Sequence, residues 1–379
     1  MLRILSGPEG SSNKRILARV AGLPDGSLWG VFLFGIPGKW HPVTEIPDWG
    51  TSAGRMERAK MSIRIVNFQR EHIAAAARLA LADYGRQRAQ TPHLPAMSEI
   101  PVLTPLVESG LGVAALEGEQ LVGYMLCVGP FSNAFRATDA TGVWSPNHAN
   151  AAAPENRETI YARLYQAAAE KWARAGATSH GIGLYAWDAG TQALFFRYGF
   201  GMRCADGIRE MGEIDAPVPD GFAFRRLAPE EAGLAYPLER MLDAHMAESP
   251  TFMLRPSETE EAFLKGASAP ETRFYAAFKG GQIAAYLKVA RDGETFIVEE
   301  PDYIHVHGAY CLPTCRGAFV MENLLNRAIR DLKAAGYARL GVDFESINPA
   351  AHRFWGKHFD IYTCSVVRRI DERAVRARA

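Results

Sequence analysis

The chain has no excess of charge of either sign: 42 Lys and Arg stand against 42 Asp and Glu in 379 residues. No basic field therefore points to nucleic acid or to an anionic membrane surface. No run reaches the roughly 18 apolar residues of a membrane span. Cysteine is scarce, odd in number and scattered, at Cys127, Cys204, Cys311, Cys315 and Cys364. That pattern excludes a disulfide framework and fits free thiols in a reducing compartment, so a cytoplasmic protein is expected. Cys311 and Cys315 are close, but no second cysteine pair or His-x-x-x-His accompanies them, and no metal is expected. The C-terminal arginines (Arg368, Arg369, Arg373, Arg376, Arg378) are interrupted by Asp371 and Glu372 and read as a solvated tail.

Residues 1–60 lack any sustained period. Lys14, Arg15 and Arg19 precede the apolar run Leu28–Ile36 as in a secretory leader, but Asp25 intervenes and no small-x-small cleavage site follows. A poorly ordered extension is expected there, with the first domain opening at Met61. What remains is too long for one comfortable core and suggests two domains.

From Met61 the chain reads twice. Gly118-Glu119-Gln120-Leu121-Val122-Gly123-Tyr124 returns as Gly280-Gly281-Gln282-Ile283-Ala284-Ala285-Tyr286, 162 positions on. The helix end Trp172–Gly176 returns as Leu332–Gly336, 160 on, and Phe200 returns as Phe359, 159 on. A near-constant offset across three features implies two copies of one α/β unit. The copies run over residues 61–214 and 222–373, joined by the turn-rich linker Asp215–Gly221. Each reads strand, helices, hairpin, long strand, helix, strand, helix, strand, which predicts a mixed sheet with helices on its faces.

The second copy carries the most informative stretch, Tyr303–Phe359. A β-branched and aromatic strand at Tyr303–Tyr310 leads through Thr314-Cys315-Arg316-Gly317-Ala318 into a helix. Val320, Leu324, Leu325, Ala328, Ile329 and Leu332 give that helix one apolar face, and Gly336 ends it. A strand at Arg339–Phe344 and a helix from Asn348-Pro349 follow. Strand, small-residue turn and helix form an anion site, because free N–H groups at a helix start point outward and the dipole favours negative charge.

The stretch resembles the acetyl-CoA-binding core of the GNAT (GCN5-related N-acetyltransferase) family, and the whole chain resembles tandem GNAT proteins. Arg316-Gly317-Ala318-Phe319 matches the head of the family's Arg/Gln-x-x-Gly-x-Gly/Ala loop but lacks its later glycines. Asn348 and Phe354 match the following Asn-x-x-Ala-x-x-Phe-Tyr, with Trp355 where the family often has Tyr. The resemblance implies an α/β fold of two tandem GNAT-like acyltransferase domains. It further implies acetyl-CoA as co-substrate and acetyl transfer to an amine of a small molecule or peptide. Tyr310, Cys311 and Leu312 would bond the pantetheine arm through backbone groups. Arg316, Gly317, Ala318 and Phe319 would receive the pyrophosphate. The first copy has no such loop: Val143-Trp144-Ser145-Pro146-Asn147-His148-Ala149-Asn150 stands in its place, and Asp188 replaces the asparagine. Acyl-CoA is therefore expected in the second copy alone.

Acetyl transfer to an ammonium needs a base, because the amine must lose a proton before it attacks. His305 and His307 alternate on one face of the strand with Tyr303 and Ala309, and histidine has a suitable intrinsic pKa. His307 is the first candidate, being nearer the strand end, followed by His305 and then Glu345 or Glu299. Two packed structural histidines are the alternative. Asp343, Glu345 and Ser346 fit recognition of a cationic acceptor, or else capping of the following helix, which Ser346 could do alone. Trp355 cannot protonate the leaving thiolate, so Tyr362 or a water would have to. Two other readings stand beside the enzyme: a non-catalytic acyl-CoA-binding regulator, and an aminoacyl-tRNA-dependent relative, which the missing basic bias disfavours.

Overall fold

The computed structural model describes residues 63–136, 140–254 and 258–376, together with two short strands at Val20–Ala21 and Gly30–Val31. The expected N-terminal extension otherwise lies outside the described residues.

The first copy opens with β1 (Ile63–Asn67), α1 (Ile73–Gln90) and a short α2 (Thr104–Glu108). The hairpin β2 (Val113–Glu117) to β3 (Gln120–Met125) turns at Gly118, whose φ of +59° a side chain would strain. Then come β4 (Val128–Phe131), β5 (Gly142–Ser145), β6 (Asn150–Ala152), α3 (Arg157–Arg174), β7 (Ser179–Tyr185), α4 (Ala189–Arg197) and β8 (Gly201–Glu210). The second copy repeats the order: β9 (Phe222–Arg226), α5 (Tyr236–Ala247), α6 (Glu260–Ala267), β10 (Arg273–Lys279), β11 (Gln282–Ala290) and β12 (Tyr303–Cys311). It continues with α7 (Val320–Ala334), β13 (Arg339–Glu345), α8 (Pro349–His358), β14 (Asp360–Ile361), β15 (Thr363–Arg369) and a terminal α9 (Glu372–Arg376).

Strand alternation divides the cores. In the second copy Tyr275, Ala277, Ala285 and Leu287 face the apolar stripe of α7, while Phe274, Ala276 and Tyr286 face α5 and α6. Both faces of the sheet are thus covered, which is why residues 274–278 and 283–287 are apolar runs rather than alternating ones. The first copy does the same with α3 on one face and α1 on the other.

The copies are not simply side by side. The long sheet runs β9-β10-β11-β12-β13-β8-β15-β7-β5-β4, with β14 also pairing β8. The last strand of the first copy, β8, therefore lies between β13 and β15 of the second. The last strand of the second, β15, lies on β7 of the first. The two copies have exchanged their final strands. A tyrosine-rich cluster of Tyr84, Tyr185, Tyr303 and Tyr362 packs where they meet.

All five cysteines are free and buried. Among the described residues no helix is long and apolar enough to cross a membrane, and no three His, Cys, Asp or Glu are grouped to hold a metal ion.

Candidate active site

The parallel strands β12 and β13 pair only from Tyr303–Arg339 to Val306–Val342. On its other side β12 stays with β11 as far as Cys311–Ala285, but Lys288 pairs with Gly308 and Val289 with Val306. His307 is the residue left over, a β-bulge that bends β12 away from β13. Beyond it a cleft opens, formed by cavities of about 510 and 380 Å³ that share Leu242, Ala309, Asn348, Ala351 and Trp355. The Leu312 N–H donates to Ala284 O on the β11 side (2.9 Å). Alternation then turns the peptide groups of Ala309 and Cys311 toward the cleft.

The larger cavity sits at the start of α7. Phe319, the residue before the helix, has φ +58°, Gly317 has φ +75°, and no side chain caps the helix. Its first N–H groups therefore lack intrahelical partners at the cavity mouth. Tyr310, Cys311, Arg316, Gly317, Phe319, Asn348, Phe354 and Trp355 all line this cavity, whereas Leu312 and Ala318 do not. Phe319 is 40% exposed rather than turned into the core. The Arg316 guanidinium lies 5.3 Å over the Tyr310 ring, and its Nε donates to Cys311 O at 3.0 Å. Two further cations, Arg353 and Lys357 on α8, also line the mouth. Their i,i+4 spacing was readable in the sequence but looks like any solvated helix face.

Asn348 does different work from its neighbours. Its Oδ1 accepts from the N–H groups of Ala350 (3.1 Å) and Ala351 (3.4 Å), so it caps α8. Ser346 does not cap; its hydroxyl donates to Met202 O on β8 (3.0 Å). Trp355 is buried and meets Phe354 edge to face at 4.8 Å.

The smaller cavity holds the titratable groups. His307, Asp292, Glu294, Asp343 and Glu345 line it. His307 Nε2 is 3.0 Å from the carbonyl oxygen of Asp292, an acceptor only. That fixes the ring proton on Nε2 in the neutral form and leaves Nδ1 as the basic nitrogen. Burial, and then the neighbouring His305, push the His307 pKa below its usual 6.5. His305 is different: it is 1% exposed, with Nδ1 at 2.7 Å from the Tyr303 hydroxyl and Nε2 at 2.8 Å from Asp343 Oδ1. Both nitrogens are committed to a packed network, and it orients Asp343 at the cleft wall. Gly341 makes the network possible, since a Cβ there would overlap the Tyr303 hydroxyl and lie 2.8 Å from His305 Nδ1. Glu345 Oε2 is held by Arg203 Nε at 2.6 Å. Tyr362 is fully buried in the tyrosine cluster, bonded to Thr295 Oγ1 at 2.8 Å, and does not line the cleft. Glu299 is exposed and lines neither cavity.

The matching place in the first copy is closed. Pro146 and the turn Asn147–Ala149 break its long strand into β5 and β6, which belong to different sheets. Asn150 Nδ2 bonds Pro146 O at 3.0 Å and Gly183 O at 3.1 Å across the gap. At the start of α3, Arg157 fills the position with its own charge: Nη2 is 2.7 Å from Asp83 and Nε is 2.6 Å from Asp188. Asp188 also caps α4 through Thr191 N–H (3.0 Å), as Asn348 caps α8.

The sheet thus parts beside an uncapped helix start. Residues 238–360 match the profile of the "Acetyltransferase (GNAT) family". A solved GCN5-related N-acetyltransferase from Sphaerobacter thermophilus is 13% identical and superposes with a TM-score of 0.50, over 81% of this chain and 95% of that one. That likeness extends the fold to both copies, as two tandem GNAT-like units. A tandem GNAT protein from the clavulanic acid biosynthesis pathway is 14% identical, with a TM-score of 0.40 over 81% of this chain and 98% of that one. No curated protein matches the chain.

Proposed function

We propose that the chain is an N-acetyltransferase that moves an acetyl group from acetyl-CoA to an amine of a small molecule or peptide, using the second copy alone. One observation carries this reading: a single cleft joins an uncapped helix start ringed by Arg316, Arg353 and Lys357 to a half-buried histidine among carboxylates. The pyrophosphate would lie on the N–H groups of α7 with Arg316 beside it. Arg353 and Lys357 would take the remaining phosphate, and the peptide groups of Ala309 and Cys311 would hold the pantetheine arm. The closed, salt-bridged counterpart in the first copy supports assigning the co-substrate to the second.

In the reaction His307 Nδ1 accepts a proton from the ammonium. The freed amine attacks the thioester carbonyl carbon, the C–N bond forms, and the C–S bond breaks as the second amine proton passes to the departing thiolate, which leaves as the CoA thiol. Holding the two reactants in one cleft supplies most of the acceleration, with effective molarities on the order of 10⁵ M or more. Tyr310, His245 and His358 are proton-bearing side chains that line the larger cavity. The buried free cysteines suit a cytoplasmic enzyme.

One feature favours a second reading, a non-catalytic acyl-CoA-binding protein: Trp355 has no acidic proton to give, and Tyr362 lies outside the cleft. Thiol release from acetyl-CoA against a panel of amines, beside calorimetry of acetyl-CoA alone, separates the two. Tight binding with no amine-dependent thiol release would leave the regulator standing and remove the enzyme.

A further inference from the structure

A third cavity, of about 520 Å³, adjoins the acceptor end of the cleft and shares Glu294 and Glu345 with it. Its far wall comes from the first copy. Phe131, Phe135 and Trp144 form an edge-to-face series, with ring centroids 5.9 and 6.0 Å apart. All three rings are only half-buried, although aromatic side chains of this size gain by full burial. Two features of the chain keep them there. Phe135 sits at φ +53°, in the left-handed region that bulky residues avoid. Gly181 on β7 leaves the space they occupy: a Cβ there would overlap the Phe135 ring and lie 2.8 Å from Trp144. Arg203 ties this wall to the cleft, since its Nη2 donates to Phe135 O at 2.6 Å while its Nε holds Glu345. The strand exchange makes that tie possible, because Arg203 lies on the first-copy strand that pairs with β13.

We propose that this cavity is the acceptor's specificity site and that the acceptor is an amine carried on an aromatic ring system. The ring packs against Phe131, Phe135 and Trp144, and the amine reaches past Glu294 and Glu345 toward His307. The first copy, closed as a co-substrate site, thus supplies the substrate wall of the second. The carboxylates along the path match a cationic amine, and the volume suits one small fused or single ring with its side chain. The proposal rests on the acetyltransferase reading for the direction of the amine, but ring binding is measurable without catalysis.

The test uses the full chain and two probes of similar length, tryptamine and 1,4-diaminobutane. Acetylation kcat/KM is expected to favour tryptamine by roughly 10–100-fold, as burial of a ring predicts. Val128→Trp, at a 45% exposed position on the cavity rim, fills the site. It should raise KM for tryptamine by roughly tenfold or more and leave both the diamine kinetics and acetyl-CoA affinity unchanged. Binding is followed separately by calorimetric titration of tryptamine into the wild type and into Val128→Trp. Tryptamine binding that Val128→Trp abolishes, without any acetyl transfer, sinks the enzyme reading but supports the ring site. Acetyl transfer with equal kcat/KM for both probes, or equal loss for both in Val128→Trp, overturns the ring site and leaves the enzyme. Absence of calorimetrically detectable binding at millimolar tryptamine, or binding unchanged in Val128→Trp, also overturns it.

Discussion

Arg203 Nε lies 2.6 Å from Glu345 Oε2, and the two residues come from different copies of the repeat, 142 positions apart. The bond is one rung of the interlock made by β8 and β15. Neither copy can complete its sheet alone, because the strand that closes it belongs to the other. Residues 61–214 and 222–376 expressed separately should therefore be unfolded or aggregated, while the two expressed together should recover a folded complex. The intact protein should melt in one calorimetric transition. Two resolved transitions, or a well-dispersed NMR spectrum from either half alone, would contradict the interlock.

The co-substrate assignment has its own signature. Arg316→Ala should weaken acetyl-CoA binding by about 1.5 kcal/mol, the lower end for a hydrogen bond to a charged group, because the side chain is exposed. Arg353→Ala with Lys357→Ala should cost affinity for acetyl-CoA but little for its 3′-dephospho form. His148→Ala, in the first-copy turn, should leave affinity unchanged. Calorimetry that finds two sites per chain, or a larger loss at His148, refutes the single-site assignment.

Much of this architecture was legible before any coordinates. Hairpin glycines, the apolar stripe of α7 and the Asn348 cap are local features, and local features repeat at a fixed offset whether or not the copies later diverge. The strand exchange was not legible. A strand such as Gly201–Glu210 carries the same pattern whichever neighbour it pairs with, and nothing local says which copy supplies that neighbour. The charge pairs are hidden for the same reason: Arg157 meets Asp83 across 74 positions. The two histidines looked equivalent because alternation puts them on one face. What separates them is a bulge and a glycine on another strand, Gly341, which makes room for the buried ring of His305.

That separation predicts the pH profile. If His307 is the base, it must be unprotonated to act, so activity is lost as pH falls through its pKa. Burial and His305 lower that pKa, so the acid limb of kcat/KM should have its midpoint below 6.5. His307→Gln should cut the rate at neutral pH by roughly 10²–10⁴ and spare acetyl-CoA affinity. His305→Gln should instead lower stability, since it leaves Tyr303 and Asp343 without their partner. An acid limb unmoved in His307→Gln would shift the role to Glu345 or Asp343.

Asp206 on β8 gives a stability prediction of opposite sign to most carboxylates. It is 2% exposed, its Oδ2 accepts from the Thr363 hydroxyl across the exchanged strands, and its Oδ1 has no hydrogen-bond partner among the described residues. Burial raises its pKa from 3.8 to about 6, outweighing the help from Thr363. The folded state therefore binds its proton more tightly than the unfolded chain does. Between about pH 4 and 6 the folded form holds more protons, so stability falls as pH rises through that window. Above it, the charged carboxylate costs on the order of 2–3 kcal/mol, at 1.36 kcal/mol per pKa unit. Asp206→Asn keeps the shape and an acceptor for Thr363 but cannot ionise. At pH 7.5 it should be more stable than the wild type by an amount of that order, and the difference should vanish near pH 4. Urea unfolding at a series of pH values gives the comparison directly. A variant less stable than the wild type at pH 7.5, or a difference that does not change with pH, would mean that Asp206 is ionised and well solvated in the fold.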